Sequence, residues 1–180
     1  MCNYCGCREF EAVALLTAEH GKISNLSGEI RRAVAIGDHL VAAGLLGKLY
    51  GVLEIHDAVE ELSLYPAMAR HREYADKIGT LFDQHDELDQ VVQAALTATD
   101  CTGPSSVHWP EVLGALQMLT AHIDHEEHGV FPAAAVCLDP ADWEYAAHVR
   151  AQHTPRREQP TVRSSRGIRR RAVQELPLDP

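Results

Sequence analysis

The sequence predicts an all-α fold, an antiparallel up-down four-helix bundle with a short C-terminal helix and a disordered basic tail. Three observations predict it. Apolar residues recur at steps of three and four through most of residues 10–153. Gly37-Asp38, Pro66, the run Asp100-Cys101-Thr102-Gly103-Pro104 and Asp139-Pro140 cut that region into pieces of helical length. No strand-like alternation of useful length occurs anywhere in the 180 residues.

The first helix is expected over 9–36. Phe10, Val13, Leu16, His20, Ile23, Ser27 and Ile30 line one of its faces. Asp38 is a suitable N-cap for a second helix over 38–64, with Pro66 closing it or loosening its last turn. Gly44, Gly47 and Gly51 within it are expected to allow close packing on a neighbouring helix. They form no phosphate loop, because GxxxxGK[ST] is absent. A third helix fits 71–98, and the loop around Gly103-Pro104 comes after it. Pro110 suits the first turn of a fourth helix reaching Phe131, where Pro132 stops it. Asp139 caps a short fifth helix over about 140–152, with Pro140 at its first position. This gives a Cys-containing segment over 1–9, a bundle over 10–153 and an Arg/Pro-rich tail over 154–180.

Charge separates the last two parts. The chain carries a net −10, but residues 1–153 hold 9 basic and 23 acidic residues, whereas 154–180 hold 7 arginines and 3 acids. The acidic bundle argues against a general nucleic-acid binder, which needs a basic face. The cluster RGIRRR at 166–171 is the one place that could touch nucleic acid or an acidic partner; no protein partner is indicated. No stretch approaches the roughly 20 apolar residues of a membrane span. No basic segment followed by an apolar one opens the chain, so a cytoplasmic setting is expected. Cys2, Cys5 and Cys7 then read as a redox or metal-binding group, or as a loose terminal segment.

An internal repeat carries the chemistry. Residues 56–66 read HDAVEELSLYP and 122–132 read HIDHEEHGVFP, both fitting HxxxEExxx[YF]P. A further histidine precedes each copy at matching distance, His20 by 36 residues and His85 by 37. Residues four apart share a helix face, so His56 joins Glu60 and His122 joins Glu126. Glu61 and Glu127 fall about 100° further round and need not face the core. A bundle would therefore gather four imidazoles and two carboxylates in its interior. Burying such groups is costly unless they are paired or hold a metal, and the mixed donor set suits iron, manganese or zinc. The aromatics Tyr65 and Phe131 are expected to pack beneath the site and exclude water.

This pattern resembles the hemerythrin-like, or HHE cation-binding, family over about residues 10–135. The resemblance rests on His20, His56-Glu60, His85 and His122-Glu126, with Tyr65-Pro66 and Phe131-Pro132 behind them. It implies a non-heme di-iron centre of two oxo- or hydroxo-bridged iron ions. Glu60 and Glu126 would bridge the ions and the four histidines would cap them. It also implies small-molecule partners such as O₂, peroxide or nitric oxide, and leaves open whether the protein is enzyme, sensor or carrier. The oxygen-carrying type has a second histidine one turn after the lone histidine of the third helix. Here that position is Asp89, which becomes a seventh candidate ligand, the alternative being a solvent-facing acid. A carboxylate there would favour Fe(III) and weaken the carrier reading.

Other functions fit less well. A ferritin-like iron oxidase needs Glu-x-x-His, and none of the 11 histidines has a Glu three positions before it. A hydrolase lacks both GxSxG and HExxH. The main alternative is a regulatory module with a structural or sensory metal and output through the N-terminal cysteines or the basic tail. His39, His71, His108, His125, His128, His148 and His153 are expected at the surface, at caps or at the edge of the site.

Overall fold

The computed structural model describes residues 6–154. The expectations for Cys2, Cys5 and the basic tail fall outside the described residues. Within them the chain is all helical, with no strand. No helix is long and apolar enough to cross a membrane.

Helix α1 spans Glu11–Ala35, after a short 3₁₀ turn at Cys7–Glu9. Its buried face runs through Val13, Leu16, His20, Ile23, Ser27 and Ile30, at the predicted steps. Phe10 closes the helix start by stacking on Trp143, with ring centroids 4.4 Å apart. Gly37 turns the chain at φ 75°, a conformation that β-carbons disfavour. Asp38 then caps α2, its Oδ1 accepting from the Val41 N–H at 3.1 Å.

Helix α2 runs over His39–Val59 and does not stop before Pro66. It passes through one wide, π-helical turn at Glu60–Leu64 and resumes over Tyr65–Ala69. The Tyr65 N–H bonds the Glu60 carbonyl, five residues back. Pro66 thus falls in the first turn of the resumed piece, where its ring is tolerated. Helix α4 repeats the device. It covers Trp109–His125, widens over Glu126–Val130 and continues as Phe131–Cys137 past Pro132. The expected helix stops are therefore bulges within longer helices.

Helix α3 spans Ala75–Thr102, starting later and ending later than its apolar pattern suggests. Hydroxyls of Thr99 and Thr102 bond the carbonyls of Ala95 and Ala98, and Gly103 ends the helix with φ 93°. Helix α5 spans Pro140–His153 behind a reciprocal cap. Asp139 accepts from the N–H groups of Ala141 and Asp142, while Asp142 accepts from the Asp139 N–H.

The glycines of α2 correct the sequence reading. Gly44, Gly47 and Gly51 are exposed, and a β-carbon on any of them would meet nothing within 4 Å. Ala42, Leu46, Leu49 and Leu53 occupy the inward face instead. Gly47→Ala is accordingly expected to stabilise the protein by about 0.5–1 kcal/mol, read as a raised thermal midpoint.

Helix α1 packs on α2, α3 on α4, α2 on α3 and α1 on α4, while α5 lies across α1, α2 and the wide turn of α2. Two apolar clusters fill the interior. One gathers Ile23, Ile30, Leu46, Leu49, Leu116 and Trp109; the other gathers Val13, Leu16, Tyr65, Met68, Leu81 and Phe131. His20, His56, Glu60, His85, His122 and Glu126 belong to neither cluster and are all buried.

Candidate metal centre

Six of the seven residues singled out from the sequence come together. His20, His56, Glu60 and Glu126 form one group whose candidate ligand atoms lie within 4.8 Å of one another; Glu60, His85, His122 and Glu126 form a second. The two carboxylates are common to both groups, so the arrangement is a pair of positions with a shared middle.

The imidazoles are oriented from behind. His20 Nδ1 lies 2.9 Å from Glu127 Oε1, and His85 Nδ1 lies 2.9 Å from Glu61 Oε1. His56 Nδ1 lies 3.3 Å from Glu19 Oε2, and His122 Nδ1 lies 2.8 Å from Gln84 Oε1. Each of these oxygens only accepts, so each Nδ1 carries the proton. Every Nε2 of the neutral rings is then a bare lone pair aimed inward. These lone pairs meet in twos, 3.1 Å apart for His20 and His56 and 2.9 Å for His85 and His122. Facing lone pairs repel unless a cation lies with them. Glu60 Oε1 is also buried and accepts no hydrogen bond. The donor set therefore fits metal ions.

The titration of the groups obeys the same logic. Burial pulls His20 and His85 down. Carboxylates outweigh it, Glu126 and Glu127 for His20 and Glu61 and Asp57 for His85, so both pKa values end above the usual imidazole range. Burial dominates at His56 and holds it at about 4. The two central carboxylates diverge. Burial and the charge of Glu126 raise Glu60 well above the usual carboxylate range. Burial also opposes ionisation of Glu126, but bonds to His122 and His20 carry it well below that range.

Several working residues escape the sequence pattern. The Tyr65 hydroxyl does not stay beneath the site. It donates to Glu126 Oε1 and stands 3.4 Å from Glu60 Oε2 and 3.4 Å from His122 Nε2. Phe131, its counterpart in the repeat, stacks on His20 with centroids 5.5 Å apart and planes within 6°. Burial raises Asp57 to about 7; its Oδ1 lacks a hydrogen bond and lies 3.9 Å from His85 Nε2. Glu61 and Glu127 reach the layer because the wide turns begin at the glutamate pair and shift the helical phase from there on. The doubled glutamate in both copies was the available signal. Glu19 and Gln84 each precede a lone histidine by one position, a second correspondence between the halves.

Asp89 stands apart from these groups. It is exposed, and its oxygens accept from Gln93 Nε2 at 3.0 and 2.8 Å. Leu88 and Val92 hold the inward positions after His85, which leaves Asp89 on the outer flank. His108, His125, His128, His148 and His153 are exposed; His39 and His71 are half-buried.

No curated protein and no solved structure gives a significant match to the chain. A family model does, that of the hemerythrin HHE cation binding domain, over residues 11–134. This range includes every residue of the two candidate ligand groups and both wide turns. With most of its length matched, the chain belongs to the hemerythrin HHE cation-binding domain family.

Proposed function

We propose that the protein is a non-heme di-iron protein of oxygen, peroxide or redox chemistry. The observation that carries this reading is the pair of His₂ positions sharing Glu60 and Glu126. Mixed imidazole and carboxylate donors suit iron, and two shared carboxylates suit two ions side by side. The same reading takes α1 to α4 as an antiparallel up-down bundle, in keeping with their pairwise packing. It sets the protein in the cytoplasm, where thiols such as Cys101 and Cys137 stay reduced.

When bound, the iron pair supplies a redox-active, Lewis-acidic centre for a small molecule such as O₂, peroxide or nitric oxide. The chain's own residues prepare its surroundings. The Tyr65 hydroxyl donates its hydrogen bond to Glu126 Oε1 at the middle of the layer. Phe131 covers His20 and keeps water from that ring. Glu61 and Asp57 are the most exposed carboxylates around the layer, at 35% and 23%. The edge between α2 and α3 is thus the most open side of the layer.

Aerobic purification followed by metal analysis tests the reading. Two iron ions per chain, with the near-ultraviolet bands of an oxo-bridged pair, are expected. Substoichiometric iron without those bands, or zinc in its place, refutes it. Peroxide turnover by the same sample separates an enzyme from a sensor.

A further inference from the structure

Two arginines from outside the four long helices reach the histidine layer, and both reach the same half of it. Arg8 sits on the turn ahead of α1, and its Nη2 lies 3.2 Å from Glu127 Oε2. The other oxygen of Glu127 accepts from His20 Nδ1 at 2.9 Å. Arg150 sits on α5 and grips Glu19 with both nitrogens, at 2.6 and 2.9 Å. Glu19 Oε2 in turn faces His56 Nδ1 at 3.3 Å. The His20–His56 pair is therefore backed twice by a carboxylate held by an arginine.

The other half is built differently. His122 is backed by the neutral amide of Gln84. His85 is backed by Glu61, for which the described residues provide no arginine or lysine partner. Both backing groups come from the long helices themselves. Arg150 holds its carboxylate as a fork, which fixes both Glu19 oxygens and so the ring they orient, while Arg8 adds one charged bond to Glu127. Where no arginine backs the group, the packing of the bundle alone sets the ring.

We propose that Arg8 and Arg150 are positioning residues for one metal position only, that of His20 and His56. Filling of that position then depends on two elements outside the long helices, the N-terminal turn and α5. The His85–His122 position does not depend on them. This rests on the two-metal reading above. It makes the centre divisible, with one ion answering to the seating of the chain's flanking segments.

Metal-free full-length protein titrated with cobalt(II) tests it, with visible absorption following each site and mass spectrometry of the intact protein counting ions. The wild type is expected to take two. Arg8→Ala and Arg150→Ala are each expected to fill one position with wild-type affinity and the other about 10–100-fold more weakly. Arg150→Lys, which keeps the charge without the fork, should recover part of that loss. On a His56→Ala background, Arg150→Ala should cost nothing further, because its effect passes through His56. Two ions bound with unchanged affinity in both alanine variants would overturn the proposal. So would equal weakening of both positions, which marks a merely structural role. A wild type that takes fewer than two ions fails at the earlier step and refutes the two-metal reading itself.

Discussion

Glu126→Ala is expected to lose both metal ions and to weaken the metal-free protein as well. The side chain is fully buried and common to both candidate ligand groups. Its loss removes a donor from each position, and the drop in affinity should exceed the roughly 100-fold upper range for backing groups. In the metal-free protein Glu126 is the anion that His20, His122 and the Tyr65 hydroxyl share. Removing one partner from a buried charged set costs about 3–5 kcal/mol. Iron content and a thermal melt of the metal-free variant check the two halves. A variant that keeps stoichiometric metal would remove Glu126 from the site.

Glu60→Gln is expected to lose metal too, yet to stabilise the metal-free protein at neutral pH. Glu60 stands among like charges, with Glu126 and Asp57 both raising its pKa after burial. The direction with pH comes from linkage. An unfolded glutamate releases its proton near pH 4.5, while folded Glu60 keeps it to much higher pH. Its contribution is therefore full below about pH 4.5 and is lost as pH rises toward the folded value. Asp57 adds the same sign between its ordinary 3.8 and about 7. Glutamine has no proton to lose at this position, so the gain over wild type should grow from pH 5 to pH 7.5. Melts of both metal-free proteins across that range measure it; a constant gain would contradict the assignment. Thus two glutamates at identical positions of the repeat carry opposite signs.

That contrast marks where the sequence was legible. Helix faces were plain because buried residues of α1 recur at steps of three and four. Four of the six central ligand candidates were plain because HxxxE keeps both side chains on one face up to the glutamate, and His20 and His85 because they precede the two copies at matching distance. Beyond it the regular period ends. The wide turns shift Glu61, Glu127 and Tyr65 onto the layer, and a constant 100° per residue misplaces all of them. Prolines read as stops because the pattern does not show that a wider turn can precede the ring. Asp89 has the right spacing from His85, but a neighbour at i+3, Leu88, holds the inward place. The glycines of α2 suggested close helix contact, and only the position of the neighbouring helices shows that none approaches.

The polar layer also divides the interior into two apolar bodies that do not merge. The long helices carry both bodies through the layer, where imidazoles and carboxylates meet in place of hydrocarbon groups. Without metal the molecule has two hydrophobic nuclei and a weak seam, so the seam is where native-state hydrogen exchange should be fastest among the buried amides. Bound metal is expected to slow exchange at that seam and so to tie the two bodies together.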